Sequence, residues 1–268
     1  MCGRRKWEQI EKTDWGDMDR DLMYKTLRQI PSGIIVQFHS NGEPLLYPLL
    51  VQALTFRLDY IRTLDTNGKL LVEQADYIIG HLETITISVI ENDPEQDEQY
   101  EIVKKFLEIK GDRKPFVVYR LLGDVGKLDS LRPHKELESY GTYTLLADLE
   151  VQRKERRERW YKLPGLVAPR ILHKAMGSFG YSKKVTIPEH GICLDLLSHL
   201  VIDRFGDVYP CVRFNPNKYM KLGNIKETNL IDMWNSPYRL ATIEQHIKGN
   251  RKCTELCSQC DFYGVPTG

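Results

Sequence analysis

Between Cys2 and Cys193 the sequence contains no cysteine. Nor does it contain an apolar run approaching the ~20 residues that a membrane-spanning helix needs. Neither sign of charge dominates: 38 Lys and Arg face 37 Asp and Glu, for a formal net charge of +1. That balance gives no reason to expect a nucleic-acid or anionic-membrane partner. No internal repeat and no low-complexity tract is present. The first residues, Met1-Cys2-Gly3-Arg4-Arg5-Lys6-Trp7, are charged and lack the apolar stretch of a secretory leader, so a reducing, cytoplasmic setting is expected. At 268 residues the chain can bury one large core, or a medium core plus a small domain.

The cysteines missing from the middle are concentrated at the C-terminus. Cys193 and Cys211 read C-x12-G-x4-C with Gly206 in the gap, and Cys253, Cys257 and Cys260 read C-x3-C-x2-C. Thiolates gathered in this way suit an iron–sulfur cluster or tetrahedral zinc. A reducing compartment favours metal over disulfide. Cys2 stands beside Arg4, Arg5 and Lys6, whose positive charge favours a metal-binding thiolate.

Read in order, the chain alternates helical and strand patterns. Asp17 to Ile30 has an apolar stripe of Met18, Leu22, Met23, Leu27 and Ile30. Gly33 to His39 reads as a buried strand closed by the glycine turn Ser40-Asn41-Gly42-Glu43-Pro44. Pro48 to Leu58 suits a helix. Tyr60 to Leu64 suits a strand ending in Asp65-Thr66-Asn67-Gly68, and Lys69 to Gln74 a short helix. Thr84 to Ile90, Phe116 to Leu122 and Leu166 to Leu172 are further strands, with an amphipathic helix over Glu95 to Lys110. Such alternation implies βα units and a parallel sheet. The charge run Gln152 to Arg159 reads as a solvated helix face. Ser178 to His190 is loop-like, and the domain boundary is placed there, giving units 1–177 and 178–268. In the second unit, Ser198 to Asp203 and Asp207 to Tyr209 predict a hairpin turning at Gly206, which carries Cys193 and Cys211 toward one point. Asn229 to Ser236 reads as a short helix, and Cys257 and Cys260 as a terminal loop.

The last unit resembles the SPASM or twitch auxiliary-cluster domain of radical S-adenosylmethionine (SAM) enzymes. Cys193, Gly206-Asp207-Val208-Tyr209-Pro210-Cys211, Leu222-Gly223-Asn224-Ile225, Met233-Trp234 and Cys257-Ser258-Gln259-Cys260 carry the resemblance. The preceding part resembles the radical SAM core, through Asn41-Gly42-Glu43-Pro44-Leu45-Leu46 after one strand and Thr66-Asn67-Gly68 after the next. The fold implied is α/β: a partial (β/α)6 TIM-like barrel lacking its first strand, plus a small cysteine-rich α+β domain. The resemblance implies that Gly42, Glu43 and Pro44 meet the methionyl amine of SAM. It places Thr66, Asn67 and Ser88 at its polar groups and Arg120 at its carboxylate. It implies an auxiliary 4Fe–4S cluster on Cys193, Cys211, Cys257 and Cys260, with Cys253 a spare or a competitor.

One motif departs from the family. The C-x3-C-x2-C that holds the catalytic 4Fe–4S cluster belongs at the end of the first strand. Met1-Cys2-Gly3-Arg4 resembles only its last third. The expectation is that Cys2 is the third ligand of a second 4Fe–4S cluster in an intact protein, and that the chain as written does no radical chemistry. In intact form the family reductively cleaves SAM to a 5′-deoxyadenosyl radical, which abstracts hydrogen from a substrate. Implied partners are a small-molecule, peptide or protein substrate and a reductant such as flavodoxin or ferredoxin. The rival reading is a non-enzymatic iron–sulfur or zinc protein retaining only the C-terminal site.

Overall fold

The computed structural model describes residues 16–39, 42–90, 93, 95–123, 155–171, 193–211, 218–258 and 260. Five strands form one parallel sheet in sequence order: β1 (Ile35–Gln37), β2 (Ile61–Thr66), β3 (Thr84–Ile90), β4 (Phe116–Gly123) and β5 (Leu166–Ile171). The β-branched, period-two sequence of β3 shows why. Ile85, Ile87 and Val89 are fully buried beneath the helices, while Thr84, Thr86 and Ser88 alternate onto the other, inner face. On the outer face lies the main core, in which Leu54, Leu64, Ile78, Phe106, Tyr119 and Trp160 are completely enclosed. Burying each such side chain contributes roughly 1.5–3 kcal/mol.

The expected order of strands is found, with differences of detail. β1 is not a buried strand but a short outer one, and Ile35 is 64 % exposed. Among the described residues, nothing pairs with its outer edge. Lys69 to Gln74 is a turn rather than a helix, closed by the Gln74 amide donating to the Leu70 carbonyl at 3.0 Å. The regular turn of helix starts only at Ala75. Residues 155–158 of the charge run are helical and largely exposed as expected. Arg159, however, is half-buried, lies over the Tyr100 ring at 4.3 Å and pairs with Asp97 at 2.8 Å. The loop and boundary expected at 178–190 lie outside the described residues.

Helices α1 (Arg20–Gln29), α2 (Leu50–Thr55), α3 (Ala75–Ile78) and α4 (Gln96–Lys110) belong to the sheet unit. α1 starts at Asp19, whose carboxylate accepts from the amides of Asp21 and Leu22. Its apolar stripe divides between two partners. Met23 and Leu27 pack with Ala53 and Tyr60 of the sheet unit. Leu22 packs with Val208, Ile225 and Met233 of the C-terminal unit. Gln29 Oε1 also accepts from the Leu230 amide at 2.8 Å, and Lys25 Nζ donates to the Lys226 carbonyl at 2.8 Å. α1 thus brackets the two units together.

The C-terminal unit holds α5 (Leu194–Ser198), a three-stranded antiparallel sheet of β6 (Val201–Ile202), β7 (Asp207–Tyr209) and β8 (Gly223–Asn224), then α6 (Leu230–Trp234), α7 (Pro237–Ile247) and α8 (Glu255–Ser258). The hairpin turns where the sequence predicts, with Gly206 at φ +86°. Among the described residues, no helix is long and apolar enough to cross a membrane.

Candidate functional site

Two places carry the residues singled out by sequence. The first is at the C-terminal ends of β1 and β2, where parallel βα folds hold their ligands. Glu43 caps a single 3₁₀ turn over Pro44–Leu46, and its Oε1 accepts from the Leu45 amide at 3.2 Å. The same carboxylate reaches across to the next strand end. It accepts from Thr66 Oγ1 at 2.6 Å and from the Asn67 amide at 2.9 Å. Thr66 Oγ1 in turn accepts from the Gly68 amide at 3.0 Å, and Asn67 Oδ1 from the Lys69 amide at 2.9 Å. Gly68 adopts φ +77°, and a Cβ there would stand 2.9 Å from Ile87 Cγ2, so only glycine fits. One carboxylate therefore locks together two turns that the sequence shows 23 residues apart. Gly42 and Pro44 flank it, while Asn41 lies outside the described residues.

Ser88 and Arg120 sit opposite each other in register on β3 and β4. The Ser88 carbonyl accepts from Gln99 Nε2, which also donates to the Asn67 carbonyl. Gln99 thereby ties α4 to the second turn. Arg120 Nη1 is 2.5 Å from Asp65 Oδ2. Asp65 is the residue just before Thr66, and its role was not read from sequence.

The second place is the cysteine-rich unit. Cys193, Cys211 and Cys257 are half-buried around one small apolar group, Leu196, Met220 and Leu256. Cys257 is on α8 rather than in the terminal loop expected for it; Cys260 follows just beyond. Arg251, itself buried, donates through Nη1 to the carbonyls of Cys257 at 2.9 Å and Cys260 at 3.4 Å. It folds the C-x2-C turn, a function with no signal in the sequence beyond its position two residues before Cys253. Burial pushes the Cys257 thiol up to about 11; a bond involving Thr254 opposes this, and the fields of Cys260, Cys193 and Cys253 add to it. A thiol held neutral chiefly by burial ionises when a metal ion binds the thiolate, so the donor set is compatible with an iron–sulfur cluster. Among the described residues, no three ligating side chains already converge on one point. Cys253 is exposed, on the wall of a cleft of about 300 Å³ with Tyr219, Tyr238 and Glu255. Cys2 lies outside the described residues.

The hairpin that presents Cys211 is held by charge. Asp207 is buried, and accepts from Lys218 at 2.8 Å, Lys221 at 2.6 Å and Asn224 Nδ2 at 2.7 Å. Burial pushes its carboxyl up, but these partners outweigh that and hold it well below the usual carboxylate range. Arg239 performs the matching task for α5, which follows Cys193. Its Nη2 donates to the Leu196 carbonyl at 2.8 Å while its guanidinium stacks 3.6 Å from the Trp234 ring centroid.

Residues 193–261 match the SPASM family, an iron–sulfur cluster-binding domain. No curated protein matches the chain significantly in sequence. Among solved structures, the chain is similar to BtrN, a radical SAM enzyme, in complex with AdoMet and 2-DOIA. The TM-score is 0.51 at 18 % identity, over 95 % of this chain and 85 % of that one. A selenomethionine form of BtrN in an open conformation aligns at TM-score 0.47 and 16 % identity, over 92 % of this chain and 81 % of that one. The chain therefore carries a C-terminal SPASM iron–sulfur domain, and its fold, with one parallel sheet and paired turns at the strand ends, is similar to that of BtrN.

Proposed function

We propose that this protein is a radical SAM enzyme that binds SAM at the Glu43 and Thr66-Asn67 turns and a 4Fe–4S cluster on Cys193, Cys211, Cys257 and Cys260. The observation that carries the SAM site is the Glu43 carboxylate, which joins two strand-end turns and keeps negative charge where a ligand's ammonium group would lie. Three donors already orient it, and about one of its four lone-pair directions stays available to an ammonium group. SAM supplies, when cleaved reductively, the 5′-deoxyadenosyl radical that abstracts hydrogen from a substrate. The chain's own residues bind and orient it: Gly68 sets the turn, Thr66 and Gln99 brace it, and Glu43 fixes the methionyl end. Cys193, Cys211, Cys257 and Cys260 would hold the auxiliary cluster, which would supply electron transfer or a contact for substrate, a small molecule or a peptide or protein side chain; flavodoxin or ferredoxin is the reductant proposed.

A catalytic cluster is a separate matter. Outside the C-terminal five, the sequence offers only Cys2, and one thiolate does not hold a cluster. Reductive cleavage of SAM is therefore not assigned to residues 1–268 alone. Equilibrium dialysis with SAM tests the reading. Residues 1–268 should bind SAM weakly, and Glu43→Gln should weaken binding a further tenfold or more, about 1.4 kcal/mol. The reading fails if Glu43→Gln leaves affinity unchanged, or if residues 1–268 alone cleave SAM to 5′-deoxyadenosine.

A further inference from the structure

The inner face of the sheet, away from the helices, carries a polar group centred on Asp65. Its side chain is 8 % exposed and receives three neighbours. Arg120 Nη1 lies 2.5 Å from Oδ2, Gln37 Nε2 donates to Oδ1 at 3.0 Å, and His39 Nε2 stands 3.8 Å from Oδ2. These residues come from β1, β2, β4 and the residues just after β1, and so share one end of the sheet with the Glu43 turn. The charges cancel: Asp65 neutralises Arg120. Burial lowers the His39 pKa most, Asp65 raises it and Arg120 lowers it, with a net lowering that leaves the ring neutral near pH 7.

A carboxylate approaching Arg120 here meets Asp65 at once, and like charges in a poorly solvated site repel. A hydroxyl or an amide meets no such penalty. It finds donors in the rest of the Arg120 fork, acceptors on Asp65, and one of each on the neutral His39 ring. We propose that Gln37, His39, Asp65 and Arg120 form a substrate-binding platform for a neutral hydrogen-bonding group, a hydroxyl or an amide, and that Arg120 does not anchor the SAM carboxylate. This rests on the reading above in taking the inner face as the reacting side.

The ¹H–¹⁵N signals of the His39 ring, assigned with His39→Gln, report the platform directly. The full metal-loaded chain is titrated with N-acetylglycinamide, myo-inositol and acetate. At least one neutral probe should shift the ring saturably and acetate should not. In Asp65→Asn, which frees the Arg120 charge, acetate should bind at least tenfold tighter than in wild type. Asp65→Asn/Arg120→Gln, which removes both charges, guards against a folding defect: it should keep the neutral probe within a few-fold and still ignore acetate. Acetate shifting wild-type His39 as strongly as the neutral probes, or no probe shifting it, overturns the proposal. Arg120→Gln should leave SAM affinity within about twofold, and a loss matching that of Glu43→Gln likewise overturns it. SAM affinity left unchanged by Glu43→Gln, with the His39 shifts as expected, counts against the SAM site alone.

Discussion

Gly206→Ala should destabilise the C-terminal unit by about 2–5 kcal/mol, and the structure supplies the two parts of that figure. Gly206 has φ +86°, where an L-residue costs roughly 1–2 kcal/mol. A Cβ there would stand 3.0 Å from Leu22 Cδ1 and 3.2 Å from Asn224 Oδ1. Leu22 is held by Val208, Ile225 and Met233, and Asn224 by its bonds to Phe205 and Asp207, so neither yields freely. Overpacking of this kind adds about 1–3 kcal/mol. Urea unfolding followed by fluorescence reads it, because Trp234 lies in the C-terminal unit against Arg239 and Trp160 in the sheet core. The Trp234 transition should move to lower urea and the Trp160 transition less; Trp234→Phe and Trp160→Phe backgrounds separate the two. Leu22→Ala in the same chain should recover part of the loss, about 1 kcal/mol as a coupling energy. A Gly206→Ala protein within 0.5 kcal/mol of wild type would refute the claim that this turn is pressed against α1.

Asp207 gives a pH prediction. Its folded pKa is depressed, so its contribution is complete above the unfolded value near 4 and is lost as pH falls further. Asp207→Asn should cost about 2 kcal/mol at pH 7, and the gap to wild type should narrow below about pH 4; parallel curves from pH 7 to pH 3 would contradict this. At β1, the Phe38 amide donates to the Thr63 carbonyl, so the alternate amides of Ile35 and Gln37 face the outer edge. Hydrogen exchange should find Ile35 and Gln37 faster than Phe38. Equal protection would mean that another part of the protein pairs with that edge.

The strands were legible because their signal is local. Thr84 to Ile90 alternates by itself, and the hairpin at Gly206 needs only its own turn residues. Family motifs placed Glu43 near Thr66 and Asn67, and the structure adds the hydrogen bonds between them. What stayed hidden depends on contacts between distant residues. The stripe of α1 shows that it is amphipathic but not that Leu22 serves one unit and Met23 the other. Nothing in Gln29 announces that it caps a helix 201 residues later. Asp65 looks like a turn residue in sequence; only the sheet register brings Gln37 and Arg120 to it. The helix expected over Lys69 to Gln74 begins late because Gly68, at positive φ, opens a series of turns first.

Anaerobic reconstitution with iron and sulfide, read by metal analysis and Mössbauer spectroscopy, tests the central claim most directly. Wild-type protein should be brown and hold four irons and four sulfides in one cluster, as a 4Fe–4S site requires. Cys193→Ala, Cys211→Ala, Cys257→Ala and Cys260→Ala should each lose most of it, and Cys253→Ala, altering the exposed cysteine, should lose much less. A colourless protein holding one tight zinc, or a cluster lost with Cys253 and kept without Cys257, would contradict the account.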